Sequence, residues 1–130
     1  MIIGMGCDVI QIRRMDISIR RFGTHFLNRI FTPAEQAAAN QLSADKRPAY
    51  YAKRFAAKEA MSKAIGSGIG RLAQWQEIET LNNQVGAPII TVKGQTAETI
   101  ADLAKNQSVR LWVSLSDDKV AVATVIIETI

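Results

Sequence analysis

A chain of 130 residues, 48% hydrophobic and only 6% aromatic, is sized for one folded domain spanning 1–130 with an aliphatic core, which excludes a disordered segment. One cysteine and one histidine exclude an intramolecular disulfide and a Cys/His zinc site within one chain. The net charge of +4 is uneven: Met1–Lys63 carries 11 basic and 5 acidic residues, 11 − 5 = +6, and Ala64–Ile130 carries 5 and 7, 5 − 7 = −2, so the first half suits an anionic partner such as a nucleic acid, a phosphorylated ligand or an acidic protein.

Ile2–Ile10 is apolar and interrupted by Gly4 and Gly6, which predicts a buried strand with close backbone approach. The N-terminus lacks the basic region and cleavage site of a signal peptide, and no apolar run nears the ~20 residues of a membrane span, so a cytoplasmic protein away from membranes is expected. Arg13–Asn28 reads as one or two helical pieces with a basic exposed side. Phe31-Thr32-Pro33-Ala34-Glu35 is a helix start, with Thr32 as N-cap, Pro33 in the first turn and Glu35 closing a capping box. That helix is expected to run to about Leu42, followed by a polar turn over Ser43–Arg47. Pro48 opens the longest helix, to about Ile65, ended by Gly66-Ser67-Gly68-Ile69-Gly70. Trp75–Leu81 and Ile89–Lys93 read as strands around a turn at 82–88. Thr96–Lys105 reads as a helix, and Val109–Leu115 and Val120–Ile127 as strands joined by a hairpin at 116–119. The order implies an α+β fold with a mainly antiparallel sheet and packed helices.

Chemistry concentrates in three places. On the 48–65 helix, Ala52, Phe55, Ala56, Glu59 and Lys63 share one arc. A carboxylate there is costly to bury unless paired or metal-bound; the competing reading is a helical Glu59–Lys63 ion pair. Asp8 ends the apolar strand and either faces water or presents its carboxylate to a site. Together Asp8 and Glu59 offer two hard oxygen ligands of the kind Mg²⁺ takes alongside phosphates and water. The 66–70 segment either cradles phosphate with backbone N–H groups or is a plain helix cap; it is not a Walker A loop.

Read together, Gly4-Met5-Gly6-Cys7-Asp8-Val9-Ile10, Arg29-Ile30-Phe31-Thr32-Pro33-Ala34-Glu35 and Arg54-Phe55-Ala56-Ala57-Lys58-Glu59-Ala60, with Lys63 to Ile69, closely resemble the holo-[acyl-carrier-protein] synthases, the small bacterial 4′-phosphopantetheinyl transferases. Trp75, Gly86-Ala87-Pro88 and Val113-Ser114-Leu115-Ser116 fit the same order. The resemblance implies the transferase-like α+β fold, assembled as a homotrimer with sites between subunits. It implies transfer of the 4′-phosphopantetheine arm of coenzyme A to a serine of apo acyl carrier protein, for fatty acid biosynthesis, with 3′,5′-ADP leaving. It assigns Mg²⁺ to Asp8 and Glu59 and a phosphate contact to Lys63. Glu59 or a metal-held water is the preferred proton acceptor, with Asp118 behind them. Lys46, Arg47 and Arg54 become candidates for the 3′-phosphate, and Gly66, Ser67, Gly68, Pro88 and Ser116 for the remainder of coenzyme A. Arg14 and Arg21, with Met15 and Phe22, become the dock for the acidic carrier.

One position departs from the family, which often ends its Ser-x-Ser strand with histidine. Asp117 stands there, and an ionised aspartate repels phosphate where histidine donates to it. Two rival readings are a small RNA-binding domain, against which stands the lack of interleaved exposed aromatics, and a relative that binds coenzyme A without transferring.

Overall fold

The computed structural model describes residues 1–130. The chain runs β1 (Ile2–Gln11), α1 (Ile12–Ile30), α2 (Pro33–Asn40), a 3₁₀ turn at Ala44–Lys46, α3 (Arg47–Ile65), a 3₁₀ turn at Trp75–Glu77, β2 (Ile78–Asn82), β3 (Pro88–Val92), α4 (Gly94–Leu103), β4 (Val109–Asp117) and β5 (Val120–Thr129). β1, β5 and β4 form an antiparallel sheet in that order, and β2 and β3 form a separate antiparallel pair. This is the expected α+β architecture.

The period-two alternation of β5 builds the core. Ala121, Ala123, Val125 and Ile127 are fully buried, and Val125 and Ile127 share a cluster with Ala56, Ala57, Ala60 and Met61 of α3. Where the sequence suggested one apolar arc on α3, the helix is buried on almost every side. Its other flank packs Tyr51 and Ala52 with Met15, Phe31 and Ala39, so the small residues of α3 serve two layers at once.

The capping box forms: Thr32 Oγ1 accepts from the Glu35 N–H at 3.2 Å, and Glu35 Oε1 accepts from the Thr32 N–H at 2.9 Å. Glu35 also pairs with Lys58 Nζ at 2.9 Å, both side chains fully buried. Lys58 in turn donates to the carbonyls of Trp75 and Ile78. That anchorage draws 75–77 into a 3₁₀ turn, so the strand expected from Trp75 begins at Ile78. Gly23, at φ 59° and ψ −140°, breaks α1 into two helical pieces; only glycine adopts this region without strain.

The outer face of the three-stranded sheet carries Met5, Val9 and Trp112, each more than half exposed. No helix is long and apolar enough to cross a membrane.

Candidate active site

β1 meets α3 through its glycines. A Cβ on Gly6 would lie 2.0 Å from the Ala60 carbonyl oxygen, and one on Gly4 2.2 Å from that of Ala64. No side chain fits there, so the strand and helix backbones touch. Alternation puts Asp8 on the face of Gly4 and Gly6, one step beyond that contact and beside the last turns of α3.

There the Lys63 amine lies 3.1 Å from Asp8 Oδ1 and donates to the Cys7 carbonyl at 3.0 Å. The helical Glu59–Lys63 ion pair anticipated from spacing does not form, because the strand offers Lys63 a carboxylate and a carbonyl side by side. Glu59 is half-buried, and its carboxyl is pushed above the ordinary range by burial first and by the Asp8 charge second, with Lys63 partly offsetting both. The result is two acceptor-only carboxylates close enough to repel. No group of three or more His, Cys, Asp or Glu side chains gathers anywhere in the chain. The pair therefore fits a hard divalent cation that completes its shell with water and ligand oxygens.

The glycine segment behaves as a cap. Gly66 takes φ 92°, and the N–H groups of Gly66, Ser67 and Gly68 all donate to the Ser62 carbonyl at 3.0, 3.2 and 3.2 Å. Of the two readings of this segment, the bonds fit the plain cap, and the N–H groups that a phosphate cradle would use are engaged by them. A Cβ on Gly66, Gly68 or Gly70 would meet nothing within 4 Å, so the segment presents an open surface.

A second site lies at the other edge of the sheet. A cleft of about 520 Å³ is lined by Leu42, Lys46, Tyr50, Lys53, Arg54 and Asn82, among others, and by Asp117 at the end of β4. Arg54 is almost fully buried. Its Nε donates to the Thr80 carbonyl at 3.3 Å, its Nη2 to Asn82 Oδ1 at 2.9 Å, and its guanidinium lies 4.0 Å from the Tyr50 ring centroid. Arg47 instead donates Nε to the carbonyls of Ala39 and Leu42, both at 3.2 Å, closing the end of α2. Lys46 is exposed on the rim. Pro88 is paired across the hairpin with Asn82. Ser116 faces the opposite, outer side of the sheet from Asp117, by strand alternation. Asp117 Oδ1 lies 3.0 Å from Lys53 Nζ, a pair the sequence reading did not identify.

On α1, Arg14 and Arg21 are exposed, and the Arg21 guanidinium sits 5.4 Å from the centroid of Phe22, itself 55% exposed. Met15 is a correction: it is 1% exposed and packs with Ile30 and Phe31, so it cannot touch a partner. Ile17, half exposed, lies on the same face and was not among the residues expected there. Its signal was the spacing of Arg14, Ile17 and Arg21, three and four residues apart on one helical face.

The model of the 4′-phosphopantetheinyl transferase superfamily matches residues 4–125. A holo-[acyl-carrier-protein] synthase of Methylobacterium sp. (strain 4-46) is 42% identical over 100% of this chain and 96% of its own. Among solved structures, the holo-[acyl-carrier-protein] synthase of Neisseria meningitidis superposes with a TM-score of 0.87 at 32% identity, covering 99% of this chain and 100% of that one. The Bacillus anthracis holo-(acyl-carrier-protein) synthase, in complex with CoA (3′,5′-ADP), gives 0.82 at 33% identity over 99% and 98%.

Proposed function

The chain belongs to the 4′-phosphopantetheinyl transferase superfamily, and from that premise we propose that it is a holo-[acyl-carrier-protein] synthase, moving the 4′-phosphopantetheine arm of coenzyme A onto a serine of apo acyl carrier protein. The observation that carries the reading is the convergence of Asp8, Glu59 and Lys63 at the β1–α3 contact. Asp8 and Glu59 are the residues to hold Mg²⁺, which when bound supplies Lewis-acid neutralisation of phosphate charge. Phosphoryl-type transfer needs positioning and charge neutralisation more than covalent help.

The serine hydroxyl attacks the β-phosphorus of coenzyme A, the bond to the bridging oxygen breaks, and 3′,5′-ADP leaves. The serine proton passes to the Glu59 carboxylate as general base. Asp118, the weaker candidate, lies in the β4–β5 turn beside Gln11 and Arg13, beyond the end of β1. Lys63 turns from Asp8 to a phosphate oxygen as the donor binds. The open surface of Gly66, Ser67 and Gly68 flanks the donor without cradling it.

Lys46, Arg54 and Asn82 wall the cleft that takes the nucleotide end, with Arg47 bracing the end of α2 and Pro88 paired to Asn82 across the hairpin. Arg14, Arg21, Ile17 and Phe22 form the dock for the acidic carrier. The carboxylate site lies at the β1 edge of the sheet and the cleft at the β4 edge, two strand spacings or about 10 Å apart across the sheet, with α3 between them. The exposed Met5, Val9 and Trp112 of the outer sheet face support subunit contact, and we read the sites as shared between neighbouring subunits of a homotrimer, as the family resemblance implies. We read residues 1–130 as one domain of a cytoplasmic enzyme serving fatty acid biosynthesis.

Intact mass spectrometry tests the reading. Apo carrier protein incubated with this protein, coenzyme A and Mg²⁺ gains one phosphopantetheine arm, and the gain is lost with Asp8→Ala, Glu59→Ala or EDTA. Absence of any gain, with folded protein and several carriers, sinks it.

A further inference from the structure

The cations around the cleft beside Asp117 differ in how their donors are engaged. Arg54 has Nε on Thr80 and Nη2 on Asn82, and it is almost wholly covered. Arg47 is turned to the end of α2. Lys53 has one partner, Asp117 Oδ1 at 3.0 Å, and its side chain retains 26% exposure. An ammonium carries three donors, so Lys53 keeps donors for a ligand where the two arginines hold up the wall. Asp117 reaches it from the end of β4, a different element. The amine is thereby held at the cleft in place of sweeping freely on its four-carbon stem, and less side-chain freedom is lost when a ligand binds.

A second observation points to a ligand in the same place. Tyr50 lines the cleft at 8% exposure, and its hydroxyl makes no well-formed hydrogen bond, with only the Arg54 side chain near it as a loose donor. Around the cleft Lys46, Lys53 and Arg54 outnumber Asp45 and Asp117, leaving one net positive charge for an anion. The aspartate at the end of β4 is thus matched by a cation on α3, and the cleft is not acidic.

Resting on the reading of the chain as a coenzyme A-dependent transferase, we infer that Lys53, held in place by Asp117, is the cation that recognises the 3′-phosphate at the nucleotide end of the donor. Lys53 touches the ligand; Asp117 is a positioning residue that acts through it.

Calorimetric titration with 3′,5′-ADP and with 5′-AMP, which lacks only that phosphate, gives a preference ratio that does not depend on turnover. The wild-type protein prefers 3′,5′-ADP. Lys53→Gln lowers the ratio about tenfold, the loss of one charge-assisted hydrogen bond, and Lys53→Arg keeps most of it. Asp117→Ala lowers it about threefold in the wild-type background and not at all beside Lys53→Gln, the pattern of a residue acting through its neighbour. A ratio unchanged by Lys53→Gln overturns the inference, as does equal binding of the two nucleotides by the wild type. A ratio raised by Asp117→Ala shows mere repulsion and overturns the positioning role. The transfer assay is separate: expected ratios without transfer support the phosphate subsite and count against the transferase reading alone.

Discussion

Lys63 bonds to Asp8 across the β1–α3 contact at 3.1 Å, and it does so although Glu59 lies one helical turn away on its own helix. The lysine therefore reaches from the helix to neutralise Asp8 on the strand, and under the proposed function it stands ready to meet a phosphate. Lys63→Ala is expected to lower kcat about 100-fold, the scale of removing one preorganised electrostatic group, with Lys63→Arg recovering part of it. Steady-state kinetics of holo carrier formation check this. A loss confined to KM for coenzyme A would assign Lys63 to ground-state binding alone.

Glu59 carries a cost when no metal is bound. Its folded-state carboxyl holds a proton to higher pH than in the unfolded chain, because burial and the Asp8 charge disfavour its ionised form. The native state is thus the more protonated one, and stability falls as pH rises through the folded pKa. Glu59→Gln removes that loss. In EDTA at neutral pH it is expected to raise Tm by about 2 °C while abolishing transfer, and the gain disappears below the ordinary carboxylate range. Thermal melts across pH with and without Mg²⁺ measure it. A lower Tm at neutral pH would show that the ionised carboxylate stabilises the fold.

The glycine contact has a sharper signature. Gly6→Ala forces a methyl to within 2.0 Å of the Ala60 carbonyl oxygen, and neither backbone yields easily. The expected destabilisation is about 3 kcal/mol, the upper range for overpacking, accompanied by loss of activity as Asp8 shifts. Gly70→Ala, with nothing within 4 Å, changes stability by less than about 0.5 kcal/mol. Urea unfolding of the pair tests the contrast.

Arg14 and Met15 are adjacent in sequence and opposite in consequence. Arg14→Glu or Arg21→Glu is expected to raise KM for the carrier about tenfold, more at low salt than at high, with kcat and Tm unchanged. Met15→Ala empties a buried position and is expected to cost about 2–5 kcal/mol without selective loss of carrier affinity. Kinetics over a salt series and parallel denaturation separate the two.

Much of this was legible from residues alone, for identifiable reasons. Thr32 and Glu35 announce a capping box locally, and the box forms. Gly4 and Gly6 announce close approach, and the helix backbone lies against them. Helix ends were read to within a few residues because caps and prolines act locally. What failed was nonlocal. The partner of Lys63 lies 55 residues away on another element, so helical spacing named the wrong carboxylate. Met15 looked available because it sits among arginines, yet α1 turns it into the core against Ile30 and Phe31. The Gly66–Gly70 run is equally a cap or a cradle until its N–H groups are traced to Ser62. Lys53 had no signal of its own, since only the packing of α3 against the sheet brings Asp117 of β4 to it.

Under the proposed sharing of sites between subunits, the carboxylate site on the β1 edge and the cleft on the β4 edge of one site would belong to different protomers. A protomer carrying Asp8→Ala still offers a sound cleft, and one carrying Lys46→Gln with Lys53→Gln still offers sound carboxylates. Unfolded together in equal amounts and refolded, two crippled preparations would rescue one another, with about a quarter of the sites drawing both halves from intact donors. Sites complete within single protomers would show no such complementation.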